Sequence, residues 1–373
     1  MSAIPRCVDG EFEVLEKLGH GSFGTVEKVR RLSDGKIFAL KSTQNPYMSP
    51  LLLKWSYYSE IRGLDRLKFS SMFPKLICIF NEQDLTNIAT LPTAYRFVME
   101  YLPGQLLQSQ YTKCLGENIG ANFYDHLQEC KKHLPDEEEM KSVIAQCLLA
   151  LEDAEFAGLS LTDVKPENMM YNQGRITFFD LNGALHKSDL SLVKFMTPIR
   201  GPPEVLKTPI KIDHTKNALY SVGTILGSYY GIRSIKVDKM AHNDFHNVIY
   251  PLKVFPITMN MFELDNNLKG YEDFKKMTGS DVISDFISRL VTLEPEGRMS
   301  ISETKKHQYF EGFDWDALIK RIGYVKPVNV KLEAKLWKNA PTLTTKAEAL
   351  ELLKSFESES GEKVLTKKQV RNE

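Results

Sequence analysis

A short alternating run, Glu13-Val14-Leu15-Glu16-Lys17-Leu18, leads directly into Gly19-His20-Gly21-Ser22-Phe23-Gly24, and the residues after this glycine run do not read as a helix. Thr25-Val26-Glu27-Lys28-Val29 is rich in β-branched residues and reads as a second strand. The G-x-G-x-x-G spacing in a dinucleotide-binding fold opens a helix instead. The strand, glycine loop and strand therefore predict an antiparallel hairpin and argue against a doubly wound parallel sheet. Glycines at these positions let backbone amides approach phosphate oxygens without a Cβ in the way, and Val26 on the second strand can offer an apolar surface to a purine.

Four further segments carry charge at places where chemistry could use it. Asp163-Val164-Lys165-Pro166-Glu167-Asn168 sets a carboxylate, an ammonium and an amide at fixed offsets. It comes after a stretch whose apolar residues, Met140 through Leu151, repeat at helical spacing and end in Phe156-Ala157-Gly158-Leu159, a glycine stop. Taken alone, the hexapeptide also fits a proline-containing turn with solvated charges. Ile37-Phe38-Ala39-Leu40-Lys41 is an apolar strand ending in a lysine 17 residues after Gly24, placed to grip phosphates or, in the plainer reading, to face water. Trp55 to Leu67 has Ile61, Leu64 and Leu67 at helical spacing, and Glu60 on it is either a partner for Lys41 or a surface glutamate. Ile176-Thr177-Phe178-Phe179-Asp180 is a β-rich run ending in a carboxylate. Hard divalent cations take oxygen ligands, so Asn168 with Asp180 could hold one and leave room for phosphates and water. Between these segments, Tyr95 to Leu102 reads as a buried strand running into a Pro103-Gly104 turn, a hinge bordered by Met99.

Composition excludes several alternatives. The 48 basic and 48 acidic residues cancel, so no global field argues for nucleic acid or an anionic membrane as the main partner. No uninterrupted apolar run of about 18 residues occurs, and Met1 to Arg6 lacks an apolar signal core, which together predict a cytoplasmic or nuclear protein. Cys7, Cys78, Cys114, Cys130 and Cys147 are scattered and without metal-ligand spacing, and are expected to be buried or free thiols in a reducing compartment. His242 and His246 lie in an irregular stretch, 232–270, whose spacing supports no metal site.

The motifs, in this order, resemble those of the eukaryotic protein kinase family over roughly Phe12 to Phe310. The resemblance implies an α+β, bilobal protein-kinase-like fold, with a small antiparallel β lobe over residues 12–102 and a large, mainly helical lobe over 103–310. An N-terminal extension of residues 1–11 and a C-terminal tail of 311–373 flank them. It implies ATP and Mg²⁺ in a cleft lined by Leu18, Gly19, Gly21, Gly24, Val26, Ala39, Met99, Glu100 and Met170. Lys41, oriented by Glu60, would hold phosphates; Asn168 and Asp180 would hold Mg²⁺; Asp163 would accept the substrate hydroxyl proton while Lys165 neutralises the transferring phosphoryl. Met196-Thr197-Pro198 resembles the substrate-facing Gly-Thr-Pro segment, so Thr197 would bond Asp163 and Lys165 and points to protein substrates bearing Ser or Thr hydroxyls. Pro202-Pro203-Glu204 resembles Ala-Pro-Glu, with Arg298 as the expected partner of Glu204. Phe313-Asp314-Trp315, with Lys326-Pro327 beyond it, is similar to the start of the tail in cyclic-nucleotide-dependent and related (AGC-type) kinases, and that tail is a candidate dock for a regulatory partner. Residues 105–121 read as a loop insertion.

Four departures keep a second reading open, a pseudokinase acting as a scaffold or allosteric module. Leu161-Thr162 stands where the family has His-Arg, which removes the guanidinium that receives an activation-loop phosphate. The usual phospho-acceptor position falls near Val193, beside Ser188 and Ser191, so loop order is expected not to depend on an Arg–phosphate pair. Asp180-Leu181-Asn182-Gly183 replaces Asp-Phe-Gly, and the concern there is whether Asn182 must take backbone angles that suit glycine. Ala218 replaces an Asp that braces the catalytic-loop backbone.

Overall fold

The computed structural model describes residues 4–21, 24–43, 50–80, 95–109, 136–182, 184–186, 214–230, 271–292 and 294–327. Its N-terminal part is a five-stranded antiparallel sheet built from β1 (Phe12–Gly21), β2 (Gly24–Arg31), β3 (Ile37–Thr43), β4 (Leu76–Ile79) and β5 (Tyr95–Glu100). The spatial order is β1-β2-β3-β5-β4. The glycine run closes the β1–β2 hairpin as the alternation and the β-branched residues predict, with Gly21 opposite Gly24. Gly24 has φ +148° and approaches β3 so closely that a Cβ there would lie 2.0 Å from the Ser42 carbonyl oxygen, so only glycine fits. Helix α1 (Pro50–Arg66) packs on the sheet through Tyr57, Ile61 and Leu64, which lie along one face at helical spacing.

The opposite face of the sheet has its own small core of Val29, Phe38, Leu40 and Val98, together with Cys7 and Cys78. Here the thiol expectation is overturned: Cys7 and Cys78 are joined in a disulfide, with Cα atoms 5.2 Å apart. The chain before β1 runs parallel to the outer edge of β4, where Ile79 N–H donates to the Pro5 carbonyl (3.0 Å) and Cys7 N–H to the Ile79 carbonyl (2.9 Å). That pairing brings together cysteines 71 residues apart, and it covers a strand edge that would otherwise be open. Cys147 is a free, buried thiol as expected, and Cys114 and Cys130 fall outside the described residues.

A short connection, Tyr101 to Gly104, leads from β5 to the larger part. Its first strand, β6 (Gln105–Leu106), pairs with β8 (Met169–Asn172), which pairs with β9 (Arg175–Phe178). Helix α2 (Glu137–Phe156) runs through the core of this part, with thirteen of its residues buried, which is why its apolar pattern is so continuous. Asp136 caps it by accepting from Glu139 N–H at 2.7 Å, and three glutamates in the first turn suit the positive end of the helix. It stops where the glycine signal says, Gly158 taking φ +70°. β7 (Leu159–Leu161) then pairs with β10 (Ala184–His186).

Helix α3 (His214–Tyr229), α4 (Tyr271–Thr278), α5 (Asp281–Leu290) and α6 (Ile301–Lys306) complete the larger part. Beyond residue 310, α7 (Trp315–Ile322) also packs on this body. Arg321 donates to Ser142 on α2 at 2.5 Å, and the Tyr324 hydroxyl donates to the buried Asp153 at 2.7 Å. No helix among the described residues is long and apolar enough to cross a membrane. The segments read as an insertion (110–121), as irregular (232–270) and as the end of the tail (342–373) lie outside the described residues, while residues 105–109 of the insertion are described.

Candidate active site

Each sequence-predicted residue in the cleft owes its position to a strand register, a helix face or a turn. On β3, Lys41 faces Val26 of β2 on one side and Phe97 of β5 on the other. On β5, Met99 lies opposite Ala39, and both are buried. Leu18, Gly19 and Val26 belong to the β1–β2 hairpin above, where Leu18 is 43% exposed, an apolar side chain turned toward solvent. Met170, part-buried on β8, pairs with Leu106. Glu100 is tied to Lys75 on both counts: its Oε2 accepts from Lys75 N–H at 3.2 Å, and its own N–H donates to the Lys75 carbonyl at 2.9 Å.

Lys41 is the centre of an ion triad. Its Nζ lies 2.7 Å from Glu60 Oε1 and 3.0 Å from Asp180 Oδ1. Burial opposes the Lys41 ammonium, but the Asp180 and Glu60 carboxylates hold its pKa above the ordinary lysine value. Burial pushes Glu60 up to about 7, with Lys41 as the charge pulling the other way. The reading of Glu60 as a surface glutamate is thereby excluded: its side chain is 1% exposed.

The hexapeptide forms a tight, self-bonded turn. Lys165 Nζ is 2.6 Å from Asp163 Oδ2, and Asn168 Nδ2 donates to the Asp163 carbonyl at 3.0 Å and to Asp163 Oδ2 at 3.2 Å. Pro166 opens a single turn of 3₁₀ helix, Pro166–Asn168, that fixes the spacing of the three polar groups. Because both contacts of Asn168 use its amide nitrogen, its Oδ1 is left as an oxygen donor. Asp180 keeps Oδ2 in the same way, and both residues line one pocket with Asp163 and Thr162. One amide oxygen and one carboxylate oxygen form a hard-donor pair that suits Mg²⁺.

The segment after β9 corrects the expectation about Asn182. The positive backbone angle falls on Asp180, φ +62°, and Asn182 is not among the described residues with positive φ. Instead, its side chain matters. Asn182 Nδ2 donates to Asp180 Oδ1, and Asn182 Oδ1 accepts from Ser56 Oγ at 2.7 Å. Ser56 Oγ is also 3.2 Å from the Tyr95 hydroxyl. Sequence reading missed Ser56 and Tyr95; the available signal was Ser56 standing one turn before Glu60 on α1. Leu181 is buried and packs against α1 at Gly63, where a Cβ would lie 3.1 Å from it. Leu161 is buried, as its apolar character predicts.

On the large-lobe side, Ala218 is buried on α3 with a side chain that can accept nothing. Arg298 is buried, donates Nε to the Thr292 carbonyl at 2.6 Å and lies over the Tyr220 ring. Its expected partner Glu204, with Thr197, Ser188, Ser191 and Val193, lies outside the described residues.

Comparison with known proteins gives this geometry a family. Residues 12–310 match the protein kinase domain. A RAC family serine/threonine-protein kinase homolog of Dictyostelium discoideum is 25% identical over 362 residues, covering 91% of this chain and 67% of that protein. The serine/threonine-protein kinase KIPK2 of Arabidopsis thaliana is 23% identical over 382 residues, covering 83% of this chain but 37% of its own length. Human cyclin-dependent kinase-like 4 is 24% identical over 374 residues, 95% of this chain and 89% of that protein. The chain thus spans about two thirds of the first of these relatives and little over a third of the second. With the hairpin, the Lys41–Glu60 pair and the Asp163–Asn168 turn in one cleft and the domain match covering most of the sequence, the chain belongs to the protein kinase family.

Proposed function

We propose that this protein is an ATP-dependent protein serine/threonine kinase. The observation that carries the reading is Lys41 held between carboxylates from two different elements, Glu60 of α1 and Asp180 after β9, inside a buried cleft. Taking such charges out of water costs several kcal/mol per ion unless geometry and partners offset it. A triphosphate gives Lys41 and the cation site a common purpose that a purely structural triad lacks.

In this reading Asp163 accepts the proton of a Ser or Thr hydroxyl, and its contact with Lys165 fixes the carboxylate's direction. Lys165, 18% exposed and 2.6 Å from Asp163 Oδ2, would offset the charge of the transferring phosphoryl. Lys41 holds phosphates while Glu60 keeps its ammonium aimed at the cleft. Asn168 and Asp180 would hold Mg²⁺, whose positive charge would offset that of the phosphates. Ala39, Val26, Met99 and Met170 enclose the base. Thr197 adds the preference for aliphatic hydroxyls, as the sequence implies.

A second reading, a kinase-shaped interaction module without turnover, draws on one observation, the buried Ala218 where a carboxylate would brace the catalytic loop. Single-turnover transfer of the γ-phosphoryl from ATP/Mg²⁺ to Ser/Thr peptides decides between them. Transfer abolished in Asp163→Asn and Lys41→Met is the expected result; a folded parent protein that transfers no more than these variants would establish the module.

A further inference from the structure

Asp180 is bound to the rest of the cleft by two chains of contacts, and only one of them uses residue types that the kinase motifs require. The first runs from Asp180 Oδ1 through Lys41 to Glu60. The second runs from the same oxygen through the Asn182 carboxamide to Ser56 Oγ, and on to the Tyr95 hydroxyl. Both reach α1, because Ser56 and Glu60 are four residues apart and share a face. Ser56, Tyr95 and Asn182 are all buried, so these bonds form without competition from water.

Donor and acceptor chemistry fixes every direction in the second chain. A carboxylate only accepts, so the amide nitrogen of Asn182 must face Asp180 and its oxygen must face Ser56. The single hydroxyl hydrogen of Ser56 is committed to Asn182, so Tyr95 is the donor to Ser56. A glycine at position 182 could make none of these bonds. Their effect falls on one atom: Lys41 and Asn182 both engage Oδ1, which leaves Oδ2 without a hydrogen bond among the described residues, on a residue that lines one pocket with Asn168.

We propose that Asn182 is a positioning residue for cation binding, orienting Asp180 through Oδ1 so that Oδ2 faces the metal, with Ser56 anchoring the carboxamide to α1. This rests on the reading of Asp180 as a Mg²⁺ ligand. The φ of +62° at Asp180 adds a reason for such a brace, since a non-glycine residue keeps that angle only when its surroundings hold it there.

The test is equilibrium binding of a fluorescent ATP analogue to the full chain, titrated with Mg²⁺ and repeated in EDTA, with melting temperature as the check on folding. Loss of a hydrogen bond to a charged group predicts that Asn182→Gly needs about ten-fold more Mg²⁺ for half-maximal enhancement of binding. Affinity in EDTA should stay at the parent value, which separates positioning from general damage to the cleft. Ser56→Ala should shift the Mg²⁺ midpoint in the same direction by about three-fold. Ser56→Thr, which keeps the hydroxyl, should restore it. If Asn182→Gly does not fold, the Ser56 pair carries the same test. An unchanged midpoint in these variants, while Asp180→Asn abolishes the Mg²⁺ effect, overturns the role of Asn182 and leaves the ligand reading standing. An Mg²⁺ effect that survives Asp180→Asn overturns both, and the two failures are therefore distinguishable.

Discussion

The two walls of the cleft are built to different standards. On one wall, Lys41, Glu60, Ser56 and Tyr95 from residues 12–102 and Asp180 and Asn182 from residues 103–310 form a continuous network, buried except at Asp180, in which each group is tied to at least one other. On the other wall, Asp163, Lys165 and Asn168 are bonded to one another within a single turn, with Thr162 before it in place of an arginine and Ala218 in place of a bracing carboxylate. The difference teaches that departures from a family pattern need not weaken a site evenly. Here a gain at position 182 lies on the metal side and the losses lie on the hydroxyl side. Nucleotide and metal binding should therefore be robust, and turnover should be the property that suffers.

The largest expected effects come from cutting each wall at its centre. Asp163→Asn should lower turnover by about 10²- to 10⁴-fold, the usual worth of a positioned general base, while leaving nucleotide affinity near the parent value. Lys41→Met should do the reverse in emphasis. It leaves Glu60 buried without its counter-charge, which should cost about 3 to 5 kcal/mol of stability, measured by denaturant unfolding, in addition to nucleotide binding. A Lys41→Met variant as stable as the parent would mean that the Lys41 network does not hold its wall of the cleft together.

Next in size is the disulfide. Closing a loop of 71 residues constrains the unfolded chain by about 4 kcal/mol at most, so reduction should lower the unfolding midpoint accordingly. The loss should be felt first at β4 and the sheet, as faster amide exchange there than in α2. Smaller again is Ala218→Asp, which returns an acceptor to the catalytic loop. It should raise turnover about ten-fold without altering the Mg²⁺ midpoint, since an unmade buried hydrogen bond is worth about 1 to 3 kcal/mol. Equal turnover in this variant would show that the loop has no donors waiting to be met.

The smallest effect concerns pH. Burial raises the Asp153 carboxyl above its ordinary value, with bonds from Ser70 and Tyr324 offsetting part of it. A raised carboxyl holds its proton in the folded state over a window above about pH 4, where the unfolded chain has released it. Its contribution to stability is then greatest at low pH and declines as pH rises through the folded value. Asp153→Asn should remove that decline, seen as a flatter plot of unfolding free energy against pH in the acid range.

Most of the cleft was legible because its chemistry is written in contiguous strings. Gly19 to Val29 fixes a hairpin, and Asp163 to Asn168 fixes a turn, by offsets of a few residues that local geometry enforces. Glu60 was harder, since its role depends on which helix face meets the sheet, and its burial resolves that. The Asn182–Ser56 bond could not be read at all: the two residues are 126 apart, and a short polar residue in a loop looks like a backbone matter until its neighbours are known. The Cys7–Cys78 link was hidden for the same reason, as an odd count of scattered cysteines says nothing about which two a sheet edge will bring together. Docking of α7 and Tyr324 on α2 likewise depended on surfaces that no local pattern announces.

Met99, Phe97 and Tyr95 alternate along one face of β5, and the Tyr95 ring stacks on Tyr57 of α1 with centroids 4.1 Å apart. For inhibitor chemistry this describes the ground behind the proposed nucleotide site. A compound extended past Met99 toward α1 would have to displace a buried layer of two phenol rings, a hydroxyl and a carboxamide. Selectivity at this protein should accordingly reward a polar extension that can replace the Ser56–Asn182 bond, and penalise a purely hydrocarbon one that merely breaks it.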